Sequence, residues 1–234
     1  MKSIITVLVV VLISSSVAVA QSNVLSANAV GYVRGAIPSN TGSGFNLFSW
    51  PFENIDGSTS TMKTITGDAQ LPVGSIAHIW NPASKTYSSE TKSTRGGWPL
   101  GGNPIMRGTT FWIEIPDTAA TSAQHTIVFQ GEVPSTANGA ASTTQSNIVL
   151  DAVAYPYPVD QLWTGTTAAA AAPNNSIIHI WDEGSQGYTS FTKSTRGGWS
   201  SAAGVVIAAG KGFWLELPSS SIDWTETKPY SYPQ

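Results

Sequence analysis

Apolar and polar residues alternate along most of this chain in short runs. The runs are rich in Val, Ile, Phe, Trp, Tyr and Thr and are bounded by Gly, Pro, Asn or Ser. Such runs are strands joined by turns. They predict strands at 28–37, 45–50, 76–81, 86–91, 111–115, 125–133, 147–154, 177–181, 187–192, 212–217 and 222–227. Asn81-Pro-Ala-Ser-Lys85 and Asp182-Glu-Gly-Ser-Gln-Gly187 read as hairpin connections. The one predicted helix is Ala168–Ala172, stopped by Pro173.

Side chains point alternately to the two faces of a strand, so the runs also assign faces. Phe111, Ile113 and Ile115, like Phe213, Leu215 and Leu217, share one face and are expected in a core; Trp112 with Glu114 and Trp214 with Glu216 share the other. His78 with Trp80, and His179 with Trp181, stand opposite Ala77 with Ile79 and Ile178 with Ile180. If these strands neighbour one another, each half of the chain carries a second face made of a His, two Trp and a Glu.

The pattern is duplicated, and repeats decide architecture before chemistry is considered. Lys-Ser-Thr-Arg-Gly-Gly-Trp occurs at 92–98 and again at 193–199. Ser75-Ile-Ala-His-Ile-Trp80 matches Ser176-Ile-Ile-His-Ile-Trp181 at the same offset, and Phe111-Trp-Ile-Glu-Ile-Pro116 matches Phe213-Trp-Leu-Glu-Leu-Pro218 one residue later. Upstream, Ser49-Trp-Pro-Phe52 resembles Ala154-Tyr-Pro-Tyr157. The expected fold is all-β, in two tandem homologous β-sandwich or small β-barrel units at 21–122 and 123–234, each long enough to bury a core. The Thr, Ala, Ser and Gly run at 135–146 reads as a loop or join.

The heptapeptide sits in a connection of about 20 residues between strands, a length that is often functional. In one reading it folds over the His-Trp-Trp-Glu face, with Arg95 and Arg196 pairing with Glu114 and Glu216 by two-point hydrogen bonds. The paired glycines would then turn Trp98 and Trp199 back onto the sheet. In the other reading Tyr87, Arg95 and Trp98, with Tyr188, Arg196 and Trp199, form a carbohydrate-binding surface, because flat aromatic faces suit pyranose rings. Aromatics on strands are more often core than platform.

Met1-Lys2 followed by an apolar run and Ala18-Val-Ala20 predicts a signal peptide cleaved after Ala20. The alternative is a retained anchor, but the run falls short of the roughly 20 apolar residues a span needs. No later segment reads as a membrane span, so the expected location is extracellular, at the cell surface, or periplasmic. Removing Lys2 with the leader leaves 10 basic and 14 acidic side chains, and no basic patch points to nucleic acid. Only 11% of residues are charged, against about 25% in ordinary domains. That weak self-repulsion favours self-association or contact with other surface proteins.

Cysteine is absent, which excludes thiol catalysis, zinc-thiolate sites and disulfides. Only His78, His125 and His179 can serve as imidazole bases, and none has a triad partner in the pattern. Glu90 corresponds to Phe191, so no carboxylate pair is kept in both halves. No His-x-x-x-His or Asp-x-Asp-x-Asp-Gly spacing occurs. The sequence therefore predicts no catalysis, metal or cofactor.

Gly44-Phe-Asn-Leu-Phe-Ser-Trp-Pro51, His78-Ile-Trp80, Tyr87 and Gly210-Lys-Gly-Phe-Trp-Leu215 resemble a β-rich repeat of secreted and cell-surface bacterial proteins. That repeat runs Gly-aromatic-Asn-Leu, then a Trp or Tyr strand, then Gly-Lys-Gly-aromatic-Trp. Asn28-Ala-Val-Gly-Tyr-Val33 resembles the first mature strand of many such exports. Two departures stand out: Arg107-Gly-Thr-Thr replaces Gly-Lys-Gly in the first half, and Ile148-Val-Leu-Asp replaces Phe-Asn-Leu-Phe in the second. The resemblance implies a β-sandwich or small barrel used in extracellular display or assembly.

Overall fold

The computed structural model describes residues 29–39, 43–54, 58–95, 97–120, 122–135 and 149–231, and the backbone pairing of 142–147. The leader at 1–20 lies outside the described residues, as do residue 28 of the first predicted strand and Gly96 of the heptapeptide.

The fold is all-β, built from antiparallel sheets that do not close into a barrel. Strands β1 (Val30–Pro38), β2 (Gly44–Ser49), β3 (Ile76–Asn81), β4 (Thr86–Thr91), β5 (Thr110–Ile115) and β6 (Gln124–Glu132) make up the first half, with a short helix α1 (Met62–Thr66). The second half holds β7 (Ser142–Asn147), β8 (Leu150–Ala154), β9 (Gln161–Leu162), α2 (Thr167–Ala171), β10 (Ile177–Asp182), β11 (Gly187–Thr192), β12 (Val206–Ile207), β13 (Gly212–Glu216) and β14 (Ile222–Thr227). One four-stranded sheet runs β2-β5-β3-β4 and the other β8-β13-β10-β11, the same order in corresponding strands. A two-stranded ribbon accompanies each: β1 with β6, and β7 with β14. β6 falls beyond the expected division at 122/123, yet it pairs along its whole length with β1.

In the first half the apolar face of the four-stranded sheet, with Ala77, Ile79, Phe111, Ile113 and Phe48, packs against Val33, Ile37, Ile127 and Phe129 of the ribbon. In the second half Ile178, Phe213 and Leu215 pack with Trp224 and with Ala168 and Ala169 of α2. These are the inward faces that the alternation predicts, because burial of one pleat face fixes which residues turn inward. Both predicted hairpins form: Asn81 Oδ1 accepts from Ala83 N at 3.0 Å, and Asp182 Oδ1 accepts from Ser185 N at 2.6 Å. Each aspartate or asparagine thereby closes its own turn.

Two expectations need correction. The run at 135–146 is not wholly a join, since 142–147 is a strand paired with β14, and the predicted strand 147–154 is two strands, β7 and β8. The sequence also misses α1, a five-residue helix held by a capping box in which Thr61 and Thr64 bond each other's backbone. Five residues are too few to show a helical period. The predicted helix appears as α2 at Thr167–Ala171, its N-cap Thr166 accepting from Ala169 N at 3.0 Å.

Candidate functional site

The two heptapeptides fold alike. Ser93 and Gly97 bridge each other, as do Ser194 and Gly198, making a miniature hairpin in each half. Gly97 and Gly198 take φ of 67° and 57°, which only glycine adopts without strain. Lys92 lies against the turns that follow α1, and Lys193 along the last turn of α2. Lys92 Nζ donates to the carbonyls of Asp68 and Leu71, and Lys193 Nζ to those of Ala169 at 3.0 Å and Ala172 at 2.6 Å. At α2 the cation satisfies carbonyls that the helix leaves open. Trp98 N donates to Asp68 at 3.1 Å, and this bond, followed by Lys63 at 3.1 Å, holds the Asp68 carboxyl below its ordinary range.

The six residues singled out from the sequence therefore separate. Trp98 is 1% exposed and Trp199 7%, each packed in the main core of its half. A ring enclosed by core atoms has no face left for a pyranose. Arg95 and Arg196 are exposed at the hairpin tips, and Glu114 and Glu216 take histidines as partners instead. The reading in which the loop covers the His-Trp-Trp-Glu face is corrected on this point: the loop folds to the opposite side of the sheet, where the larger apolar surface lies. Tyr87 and Tyr188 are 38% and 47% exposed, and the fold brings them to one place.

That place lies between the halves. The His-Trp-Trp-Glu face forms in each half as the alternation predicts, with His78 Nε2 3.0 Å from Glu114 and His179 Nε2 3.3 Å from Glu216. An ionised carboxylate only accepts, so each Nε2 carries a hydrogen, while each Nδ1 is hydrogen-bonded to a serine hydroxyl, Ser89 at 2.8 Å or Ser190 at 2.7 Å. The two faces cover one another. Trp80 stands edge-on to Trp214 at 5.0 Å, and Trp112 edge-on to Trp181 at 4.9 Å, a reciprocal pair of contacts. Trp80 Nε1 donates to Asp151 at 2.5 Å, and Trp181 Nε1 donates to the Phe45 carbonyl at 3.1 Å.

Backbone contacts lock the same junction. Ser49 N donates to Gly210 O at 2.8 Å, and Lys211 Nζ donates to Asn46 at 3.0 Å and pairs with Glu183. The Phe-Asn-Leu segment of one half thus meets the Gly-Lys-Gly segment of the other. In the mirrored position, where the first half has Thr110, the hydroxyl donates to Ala152 O at 2.6 Å.

At this junction the halves leave a cavity of about 350 Å³ lined by Phe45, His78, Tyr87, Trp112, Trp181 and Tyr188. The sequence signal for it was the alternation that placed His78 and Trp112 on the second face; the apposition of two such faces is tertiary and has no local signature. Burial pushes the Tyr87 phenol up to about 12 against a hydrogen bond from Trp112 that lowers it, and burial raises Tyr188 as well. The raised value belongs to the folded state, so the contribution of the neutral phenol is complete below an ordinary phenol value of about 10 and is lost as pH rises toward 12. In an alkaline absorbance titration of the folded protein, Tyr87 and Tyr155, both pushed up to about 12, should ionise late, and Tyr87→Phe should remove one of these late phenols and leave the other.

Among the described residues no group of three or more His, Asp or Glu is placed to hold a metal ion, and no helix is long and apolar enough to cross a membrane. No family model, curated protein or solved structure matches this chain.

Proposed function

We propose that this chain is a secreted or cell-surface structural protein, without catalysis, that pairs with a second copy of itself and serves in that form as a subunit of an exterior assembly. The observation that supports it is the outer edge of β11. β11 closes one side of the second sheet and, among the described residues, pairs only with β10. Lys193 N donates to Ser176 O at 2.8 Å on the inner side. Alternation along the ladder then turns the backbone groups of Tyr188, Ser190 and Thr192 outward. The strand reads Gly-Tyr-Thr-Ser-Phe-Thr, with no charge and no proline, and Tyr188, Thr189, Ser190 and Thr192 are exposed.

Such an edge is a template for another strand unless a charge or a proline blunts it. The equivalent edge strand, β4, carries Glu90, which turns inward and accepts from the backbone and side chain of Asn103. An inward charge is one of the devices that discourage pairing. β11 has Phe191 at that position. β11 against β11 of a second copy is then the preferred contact, and a self-complementary contact closes as a dimer. The leader-like start and the resemblance to exported β repeats support the exterior location.

The test is sedimentation over a concentration series of the protein lacking residues 1–20. The mean mass should rise with concentration for the unaltered protein and stay that of one chain in Thr189→Lys/Thr192→Lys. A protein that remains monomeric throughout, or a double variant that associates as before, contradicts the assembly.

A further inference from the structure

We propose that the cavity between the halves binds a trimethylammonium group. The inference is independent of self-association through β11. It starts from how the rings stand. Phe45 is inclined 84° to Trp112, Trp112 is 89° to Trp181 and 85° to Tyr188, and Trp181 is 72° to Tyr188. Mutually perpendicular rings form the walls of a box, whereas a sugar platform presents one flat face. A box of aromatic walls suits a compact, rounded cation, because each ring quadrupole is negative over its face and attracts positive charge.

Hydrogen bonding points the same way. The polar groups on the cavity wall are already engaged within the protein. Trp112 Nε1 donates to the Tyr87 hydroxyl at 3.0 Å, and Trp181 Nε1 to the Phe45 carbonyl. The His78 ring nitrogens are taken by Ser89 and Glu114. A pyranose would bring several hydroxyls into a wall with little left to bond them, a costly mismatch. A trimethylammonium group brings none, since its methyl groups neither donate nor accept strongly.

Charge supplies the rest of the match. Glu114 stands behind His78, and the whole chain is acidic, with a net charge of −3. The cations that sit over rings elsewhere, Arg107 over Tyr157 and Lys228 over Tyr230, are at other places. Five aromatics gather at this one spot, where the Trp80–Trp214, Trp112–Trp181 and Trp112–Tyr188 contacts bring the halves together.

The experiment uses the full chain lacking residues 1–20 and reads tryptophan fluorescence during titration with choline, and in parallel with 3,3-dimethylbutan-1-ol, the neutral molecule of the same shape. Choline should bind roughly 10-fold more tightly than its neutral counterpart, the scale of a partly desolvated cation over several rings. Tyr188→Leu should weaken choline binding by about 10-fold while Tyr188→Phe retains it, with thermal unfolding showing both variants fully folded at the assay temperature. Co-sedimentation with phosphatidylcholine vesicles assigns the group to a lipid headgroup, and choline binding without co-sedimentation assigns it to a free solute. Equal affinity for the neutral counterpart, no response to choline, or displacement of choline by methyl glucoside would overturn the proposal.

Discussion

Trp98→Ala and Trp199→Ala are each expected to lower the free energy of unfolding by about 3–5 kcal/mol, as removal of a core aromatic does. Both rings are enclosed by core atoms, and neither has a neighbour that can move in, since the strands around them are tied by ladder hydrogen bonds. The milder change to Phe separates the two sites. Trp199 Nε1 donates to Ala169 O at 2.9 Å, whereas the buried Trp98 Nε1 has no hydrogen-bond partner among the described residues. Trp199→Phe loses a bond worth about 1 kcal/mol that Trp98→Phe does not lose. Urea midpoints of the four variants check both statements. Native midpoints for the alanine variants would mean that the rings are platform and not core.

Gly212→Val is expected to be the second most damaging change, because it strikes the junction and not the interior of either half. A Cβ on Gly212 would lie 2.6 Å from Thr110 Cγ2, 2.9 Å from the Phe48 carbonyl oxygen and 3.0 Å from Leu47 Cγ. The threonine methyl can turn aside, but the Phe48 carbonyl cannot. It belongs to the strand held against the second half by the Ser49 N to Gly210 O bond. Relief then requires the halves to part, which also parts the two tryptophan pairs. A cost of about 1–3 kcal/mol is expected from the crowding alone, with tryptophan emission shifted to the red as the rings meet water. Full stability with unshifted emission would show that the junction yields without opening.

The faces of the strands were legible because burial on one side forces a period of two, and Phe111, Ile113 and Ile115 stand where that period puts them. The aromatic second face was legible for the same reason. What covers it was not, since a loop of some 20 residues can fold to either side of a sheet and local pattern does not choose. Energetics chose: the larger apolar surface took Trp98 and Trp199, and the second face was left to its counterpart. The lysines of the heptapeptide were likewise opaque, because the carbonyls they satisfy belong to the turns after α1 and to the end of α2, more than 20 residues away in the chain. Tyr87 and Tyr188 were singled out as ligand contacts and do line the cavity, Tyr87 beside His78 and Trp112 of its own sheet and Tyr188 beside Trp181, but the two sets meet only through apposition of the halves.

The pairing of β1 with β6, and of β2 with β5, has a kinetic consequence. A chain emerging from its amino end reaches residue 124 before its first ribbon can begin to close, and until then Val33, Ile37 and Phe48 have no lasting cover. Long-range pairing of this sort slows folding to milliseconds or seconds and leaves half-made sheets open to aggregation. A helper that shields nascent strands would therefore raise the yield of this protein more than any gain in its final stability.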